Sequence, residues 1–394
     1  MIRSFYVFAL LFLSTNFLEV SILNSKSSSD IYYVLTFCVA FFGFCIKKRK
    51  DWNRRLYSLS YTKDYFWILL GVLGSTFAAQ LFHDQNILTT LISQRTIYLF
   101  FLLLSLLYVQ PSRDELTKAL GLFSIITIAI WAYALHDPSI LAKDEFTMEL
   151  ISSNNEGALN GFRTYIEGSF FVLLYLYLQM GDFVKSFSWG KFVKILLLTA
   201  FFVLYRNRSA LIGVVLALAY SILAFRSKNK ILLLFVSTLA FLLVAFVTYD
   251  IWTNLIVQSQ QELGDSGYNR WVTLEYFIFN YSPNWLCWVF GNGMPSVGNS
   301  KFGAIMARNM SNGIFASDIG MIGMWSTYGL LPIIVVYQKL LKIIRSNTSP
   351  FGLKFFAFHV FLVPTIFQYG KITGLFLFVL VFYLYAYTRE TATP

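Results

Sequence analysis

The sequence predicts an all-α, polytopic membrane protein with about twelve transmembrane helices, and its composition and apolar runs both indicate this fold class. Of the 394 residues, 57% are hydrophobic and 13% are charged, whereas a soluble domain carries about 25% charged residues. Apolar runs of roughly 15 to 20 residues recur along the chain, the length that crosses ~30 Å of hydrocarbon as a helix. Because no water is present in that layer, each run must satisfy its own backbone as a helix.

The predicted spans divide the chain into three regions. They lie near 5–23, 31–46, 65–82, 95–109, 119–135, 162–180, 189–205, 209–225, 231–249, 313–337, 355–370 and 372–387. Residues 1–249 hold spans one to nine and a shorter loop near 136–161, and residues 250–312 form one large loop. Residues 313–394 hold spans ten to twelve and the C-terminal tail. A loop as long as 250–312 is expected to be functional.

The basic residues indicate how the chain is oriented. Alternating spans place KKRKDWNRR (47–55), RSKNK (226–230) and KLLKIIR (339–345) on one side, together with both termini. The positive-inside rule makes that side cytoplasmic. It also accounts for most of the net charge of +11, so a nucleic-acid partner is not expected.

The residue patterns typical of several kinds of chemistry are absent from this sequence. The three cysteines form no CxxC pair, which argues against a zinc site or a disulfide framework. GxxxxGK[ST], HExxH and DxD motifs are absent, which argues against ATP-driven chemistry, a metalloprotease and a metal-bound sugar donor. No metal or cofactor is therefore expected.

A minority of the arginines lie at or just inside the edge of the opposite, outer side. They are Arg163, Arg206, Arg208, Arg270 and Arg308. A guanidinium group matches phosphate or pyrophosphate bidentately, so these residues are predicted to bind such a group. The alternative is that they anchor to lipid phosphates or pair with nearby carboxylates. Those carboxylates are Glu156, Glu167, Glu262 and Asp265, and Glu167 is predicted one helical turn after Arg163 on the same face.

Two further residue types are candidates for proton transfer on the outer side. Asp318 is predicted about one and a half turns inside the Gly-rich helix SDIGMIGMWSTYGLL, where it would act as a general base, orient an arginine, or only cap or pair. His83 and His136 lie near outer span ends, where each is either a base or an amphipathic anchor.

Three stretches in this order resemble the O-antigen polymerase and O-antigen ligase superfamily, the Wzy-type and WaaL-type membrane glycosyltransferases. The first is NRSALIGVVLAL at an outer span edge. The second is Arg270 and Trp271 followed by a helix, Pro283 and GNG (291–293). The third is SDIGMIGMWSTYGLL after the large loop. Together with about twelve spans and one large late periplasmic loop, the resemblance covers the whole chain and implies a GT-C-like architecture.

The resemblance implies a polymerase of undecaprenyl-pyrophosphate-linked oligosaccharide repeat units at the bacterial inner membrane, with its active site facing the periplasm. Arg208 and Arg270 would stabilise the leaving pyrophosphate without a metal, and Asp318 would be the base or an orienting group. The expected substrate-binding residues are Arg206, Arg163, Arg308, Trp271 and Glu167. The expected partners are the lipid-linked oligosaccharide, membrane lipid and a chain-length regulator.

One departure from the family pattern bears on the choice between its branches. Ligases carry a His-Asn pair at the start of the late span, whereas this chain reads RNMSNGIFASD there. The missing histidine favours the polymerase branch. A ligase that transfers glycan to lipid A core stays as the alternative, and a flippase of lipid-linked oligosaccharide is the alternative from another class.

Overall fold

A computed structural model describes residues 2–20, 28–48, 53, 56, 59–141, 166–205, 210–217, 269–364 and 372–392. All regular secondary structure in these ranges is helical, which confirms the all-helical class for the described part of the chain. The chain divides into two compact units. The first comprises Met1–Lys50, Tyr108–Leu255 and Pro350–Phe356, and the second comprises Asp51–Leu107, Ile256–Ser349 and Ala357–Pro394.

The α-helices are numbered here in chain order. They are α1 (Ile2–Ser14), α2 (Ser28–Gly43), α3 (Leu59–His83), α4 (Ile87–Ser93), α5 (Leu102–Val109), α6 (Arg113–His136), α7 (Ser169–Lys185), α8 (Trp189–Leu204), α9 (Asn269–Glu275), α10 (Trp285–Phe290), α11 (Lys301–Ser311), α12 (Met321–Tyr328), α13 (Leu330–Arg345), α14 (Phe351–Leu362) and α15 (Ile372–Ala392). Short 3-10 helices cover Phe17–Glu19, Arg95–Phe101, Pro138–Leu141 and Ala316–Ile319, and a π-helical turn covers Tyr276–Asn280.

In the first unit, α6 packs against both α1 and α7. Phe123 of α6 lies between Phe12 of α1 and Phe171 of α7, with ring centroids 5.4 and 5.6 Å away in edge-to-face geometry. Such aromatic pairs stabilise beyond the area they bury. A capping box formed by Ser112 and Glu115 satisfies the first backbone N–H groups of α6 and so sets where the helix begins.

In the second unit, α3 runs antiparallel to the consecutive helices α12 and α13. Asp64 near the start of α3 forms an ion pair with Lys339 of α13. Further along, Gly71 lies so close to Pro332 that an added Cβ would stand 2.5 Å from the proline ring. His83 ends α3, 19 positions after Asp64, so the two residues are about 28 Å apart along the helix axis.

Some of the described helices have the length and composition needed to cross a membrane. In the described ranges these are Lys63–His83 and Arg113–His136. Ile87–Ser93 and Arg95–Val109 would add a third if this pair, bent by 61°, counts as one span. The other described apolar helices in this class are shorter: Ile2–Ser14, Ile31–Gly43 and Phe351–Leu362. The number of about twelve spans therefore stays a prediction.

Helix α3 is apolar on its exposed face as well as on its buried face. Its buried side includes Ile68, Val72 and Ala79. Large apolar side chains also form an exposed stripe at helical spacing: Phe66, Leu70, Leu73, Phe77 and Leu81, of which Leu81 is 73% exposed. A helix that is apolar all round is typical of a membrane span or the core of a large protein.

The structure differs from the sequence prediction at two site residues. Glu167 lies in a turn, because Gly168 has a φ of 95° and α7 begins only at Ser169. It is therefore not one helical turn into the sixth span. Asp318 lies in the 3-10 helix Ala316–Ile319, ahead of α12, and not inside a continuous helix. The tenth predicted span is also broken at Gly329, between α12 and α13.

Candidate functional site

Several distant parts of the second unit meet at the end of α3. The helix ends at His83 because Asp84 has a φ of 51°. The GNGMPSVGNS stretch (291–300) contacts this end through a hydrogen bond, and α11 contacts it through ring stacking. Helix α12 in turn forms hydrogen bonds with the GNGMPSVGNS stretch. We name the following residues the His83 cluster: His83, Ser282, Asn292, Phe302 and Ser326.

Asn292 is fully buried, and its hydrogen bonds fix the orientation of its amide. Nδ2 donates to the backbone carbonyl of Ser326 at 2.8 Å and to Oγ of Ser282 at 3.0 Å. Because a carbonyl oxygen only accepts, the amide nitrogen must face Ser326, and Oδ1 faces Nε2 of His83 at 2.9 Å. Nε2 of His83 therefore carries the hydrogen, and Nδ1 of the neutral ring keeps its lone pair.

The imidazole ring of His83 is held in place by stacking. It lies on the ring of Phe302, with centroids 3.9 Å apart and planes inclined by 15°. The side chain is half-buried. Among the residues that the structure describes, Nδ1 has no hydrogen-bond partner. An oriented imidazole with an unused lone pair is suited to accept a proton from a bound hydroxyl group.

The close packing of residues 291–293 against the backbone of α12 requires the glycines of the G-x-G stretch. The backbone N–H of Asn292 donates to Ser326 at 3.0 Å, and that of Gly293 donates to Thr327 at 2.9 Å. Gly291 has a φ of 85°, and an added Cβ there would stand 2.4 Å from the carbonyl oxygen of Thr327. Only glycine adopts this conformation at such a distance. The two glycines therefore place Asn292 against α12.

Gln85 ties the end of α3 to the same stretch. It is fully buried, and its Nε2 donates to Thr90 at 2.9 Å and to the carbonyl of Met294 at 2.8 Å. Its Oε1 accepts from the backbone N–H of Ser296 at 2.9 Å and from Oγ of Ser300 at 2.7 Å. Both donors and both lone pairs are in use, so this side chain holds residues 294–300 against α3.

An apolar cluster packs next to the His83 cluster and shares Phe302 with it. It consists of Phe277, Tyr281, Phe302, Met306 and Ile319. Tyr276 at its edge accepts a 2.6 Å hydrogen bond from Nδ2 of Asn309. Burial raises the pKa of Tyr276, against the opposing effect of the Asn309 hydrogen bond, so its hydroxyl stays neutral at physiological pH.

Four of the predicted site residues lie in the second unit. Trp271 on α9 is half-exposed, and Arg308 in the last turn of α11 is exposed. Arg270 also lies on α9, and Asp318 lies on the 3-10 helix Ala316–Ile319; their side chains are outside the described part of the chain. Helix α9 packs against that 3-10 helix. The backbones that carry Arg270 and Asp318 therefore belong to neighbouring elements.

The other predicted arginines, Arg163, Arg206 and Arg208, lie outside the described residues. The described residues next to them are in contact within the first unit. The hydroxyl of Tyr205 accepts a hydrogen bond from the backbone N–H of Ile166 at 3.2 Å. Tyr205 also stacks on Phe201, with ring centroids 5.3 Å apart. Glu167 follows Ile166 and is buried, 3% exposed.

Sequence reasoning missed the partnership between His83 and Asn292, which are 209 positions apart. It also missed Gln85, although a polar HDQN run directly after an apolar helix marks the place where the chain turns. Among the described residues, no group of three or more His, Cys, Asp or Glu side chains is placed to hold a metal ion. No protein-family model matches the chain, and no curated protein matches it either.

Proposed function

We propose that the chain is a membrane glycosyltransferase that joins oligosaccharide repeat units carried on undecaprenyl pyrophosphate into O-antigen or a related surface polysaccharide. The observation that carries the proposal is the oriented His83–Asn292 pair at the end of an apolar helix of spanning length. Glycosyl transfer needs a group that accepts a proton from the attacking hydroxyl, and Nδ1 of His83 meets that need.

The proposal includes about twelve membrane spans with the His83 cluster at the periplasmic surface of a bacterial inner membrane. The exposed apolar stripe of α3 supports contact with lipid. The axial distance of about 28 Å between Asp64 and His83 is close to the ~30 Å thickness of the hydrocarbon core. Lys342 and Arg345 lie at the opposite end of the α12–α13 pair, where the positive-inside rule expects cytoplasmic cations.

In the proposed reaction, a hydroxyl group of the acceptor repeat unit attacks the anomeric carbon of the donor glycan. The new bond joins the acceptor oxygen to that carbon, and the bond from the carbon to the pyrophosphate oxygen breaks. His83 accepts the hydroxyl proton at Nδ1, and undecaprenyl pyrophosphate leaves with the electron pair. Removing such a base typically slows a reaction by about 10²- to 10⁴-fold.

The proposal assigns the leaving pyrophosphate to Arg208 and Arg270, because guanidinium groups stabilise its developing charge. Asp318 is given the role of orienting Arg270, since the 3-10 helix that carries it packs against α9. Half-exposed Trp271 offers an aromatic face to a sugar ring. The remaining proposed substrate-binding residues are Arg163, Arg206, Arg308 and Glu167.

A second candidate is a ligase that transfers the glycan to lipid A core. The His83–Asn292 pair does not correspond to the His-Asn pair of the ligases, because His83 ends α3 and does not lie at the start of the late span. Deleting the gene separates the two candidates. Loss of a polymerase leaves single repeat units on the core, whereas loss of a ligase leaves long lipid-linked glycan without its final acceptor.

Reconstitution tests the proposed reaction directly. The purified chain in liposomes, given a synthetic undecaprenyl-pyrophosphate-linked repeat unit, is expected to produce a ladder of longer glycans on a gel. Arg270→Ala should lose the ladder, while Lys185→Ala, an exposed cation at the end of α7, should keep it. If the wild-type chain forms no product from this substrate in the liposomes, the proposal is contradicted.

A further inference from the structure

A basic cavity of about 570 Å³ lies in the second unit, at the end of α13 farthest from the His83 cluster. Its volume is within the ~300–1,000 Å³ range of small-molecule sites. Lys342 and Arg345, neighbours at i and i+3 on α13, form one wall. Tyr385 and Arg389, at i and i+4 on α15, form another. The proposed glycan site does not use any of these residues.

The cavity is lined by three cationic side chains and by three hydroxyl-bearing side chains, those of Ser346, Thr348 and Tyr385. Ser346 and Thr348 form its rim, with their hydroxyl oxygens 3.0 Å apart. No carboxylate is among the described residues that line it. Lys342 and Arg345 form no ion pair with any described residue. The positive charges of Lys342 and Arg345 are therefore not neutralised by an ion pair within the described part of the chain.

Cations at helix C-termini are favoured by the helix dipole without any ligand, so their presence alone does not indicate a site. The concave arrangement of this group is the second observation. The last turns of α13 and α15 bring cations to a shared space whose rim supplies hydroxyl donors. Guanidinium groups bind phosphate oxygens bidentately, an ammonium group adds a point charge, and hydroxyls complete the coordination.

We propose that this cavity binds a phosphate-bearing anion through Lys342, Arg345 and Arg389. The phosphate belongs either to the head group of an anionic phospholipid or to a soluble phosphorylated molecule, since both present the same chemistry. Binding at this site joins the ends of α13 and α15, so the ligand is expected to stabilise the folded chain.

The test measures thermal unfolding of the full chain in nanodiscs of zwitterionic phospholipid. One arm replaces part of that lipid with phosphatidylglycerol, and the other adds inorganic phosphate, with sodium chloride at equal ionic strength as the control. The variants are Lys342→Ala/Arg345→Ala and, on the facing wall, Arg389→Gln. The control is a double variant of exposed cations outside the cavity, Lys185→Ala/Lys194→Ala, which removes as much positive charge as Lys342→Ala/Arg345→Ala.

The wild type and the Lys185→Ala/Lys194→Ala variant should be stabilised at the same probe concentrations. Both cavity variants should need about tenfold more probe, because each loses charge-assisted hydrogen bonds. A response to phosphatidylglycerol alone identifies a lipid head group, and a response to inorganic phosphate identifies a soluble ligand. Equal stabilisation by sodium chloride, or an unchanged response in Arg389→Gln, overturns the proposal. If the double cavity variant does not fold, Arg389→Gln decides alone.

Discussion

Nε2 of His83 donates a hydrogen bond to Oδ1 of Asn292 at 2.9 Å. The bond joins the end of α3 to the GNGMPSVGNS stretch, and it leaves Nδ1 of the ring as the acceptor. Both consequences follow from one feature, the amide of Asn292, whose orientation is set by the carbonyl oxygen of Ser326. The pair therefore both packs the GNGMPSVGNS stretch against α3 and leaves a basic ring nitrogen for proton transfer.

Replacing His83 with Gln is expected to abolish most glycan polymerisation. Glutamine keeps an N–H donor for Asn292 but has no basic nitrogen, so the rate should fall by about 10²- to 10⁴-fold. The measurement is the initial rate of ladder formation in liposomes. His136→Gln is the matched control, because this exposed histidine also ends an apolar helix of spanning length. A normal rate in the His83→Gln variant would remove His83 from the proposed mechanism.

Gln85→Ala should destabilise the second unit by about 2–3 kcal/mol. The substitution leaves the backbone groups of Met294 and Ser296 without their buried partner, which costs more than the lost bonds themselves. Thermal unfolding in detergent measures the change. Gln80→Ala on the exposed face of α3 should stay within about 0.5 kcal/mol of wild type. An equal effect of the two substitutions would mean that Gln85 does not hold residues 294–300.

Two glycines with the same φ allow the energetic cost of close packing to be measured apart from the cost of backbone conformation. Gly291 and Gly298 both have a φ of 85°, but only at Gly291 would an added Cβ meet atoms of another segment. Gly298→Ala should cost about 1–2 kcal/mol, the penalty of the left-handed conformation. Gly291→Ala should cost clearly more, because backbone atoms of α12 must move. Equal losses of stability in the two variants would contradict the close approach.

The ion pair between Asp64 and Lys339 should show strong coupling in a double-mutant cycle. Lys339→Met leaves the Asp64 carboxylate without its partner in an apolar setting, and a loss of about 3 kcal/mol is expected. Asp64→Leu in the same chain should restore most of the stability, because the unpaired charge is gone. Additive losses in the double variant would indicate that the two residues act independently.

Thiol labelling tests both burial and the predicted orientation. Cys45 is exposed and Cys287 is buried. Burial raises the pKa of the Cys287 thiol, partly offset by its hydrogen bond with Asn284, so at pH 7 it is even more fully protonated than a free thiol. A maleimide at pH 7 should therefore modify Cys45 in the folded chain and Cys287 only after denaturation, as read by mass spectrometry.

The same reagent in a membrane-impermeant form should fail to modify Cys45 in intact spheroplasts and should modify it after permeabilisation. This result is expected because the KKRK run that follows Cys45 is predicted to be cytoplasmic. Modification in intact spheroplasts would instead place this end of α2 on the outside and reverse the predicted orientation.

Much of the helical framework follows from the sequence. The apolar runs predicted helices near 65–82 and 119–135, and the structure has α3 and α6 there. The helix expected between Arg270 and Pro283 in the large loop is also present, as α9 and the π-helical turn Tyr276–Asn280. These features depend on hydropathy and spacing within one short segment, which is why sequence reasoning reaches them.

Other predictions were wrong because a glycine ends or interrupts a helix at a place where the apolar run of the sequence continues. Gly168 starts α7 late and leaves Glu167 in a turn. Gly320, with a φ of 52°, separates Asp318 from α12, and Gly329 divides α12 from α13. A hydropathy pattern does not distinguish a glycine that continues a helix from one that ends it, since both leave the apolar run intact.

The sequence by itself determined the helical class of the described chain and the position of its long apolar helices. The tertiary structure decided that His83 stands against Asn292, that Gln85 binds residues 294–300, and that cations of α13 and α15 share one cavity. The physical reason is the range of the interactions. Hydropathy acts within a helix, whereas hydrogen bonds between groups 209 positions apart exist only after packing has brought their helices together.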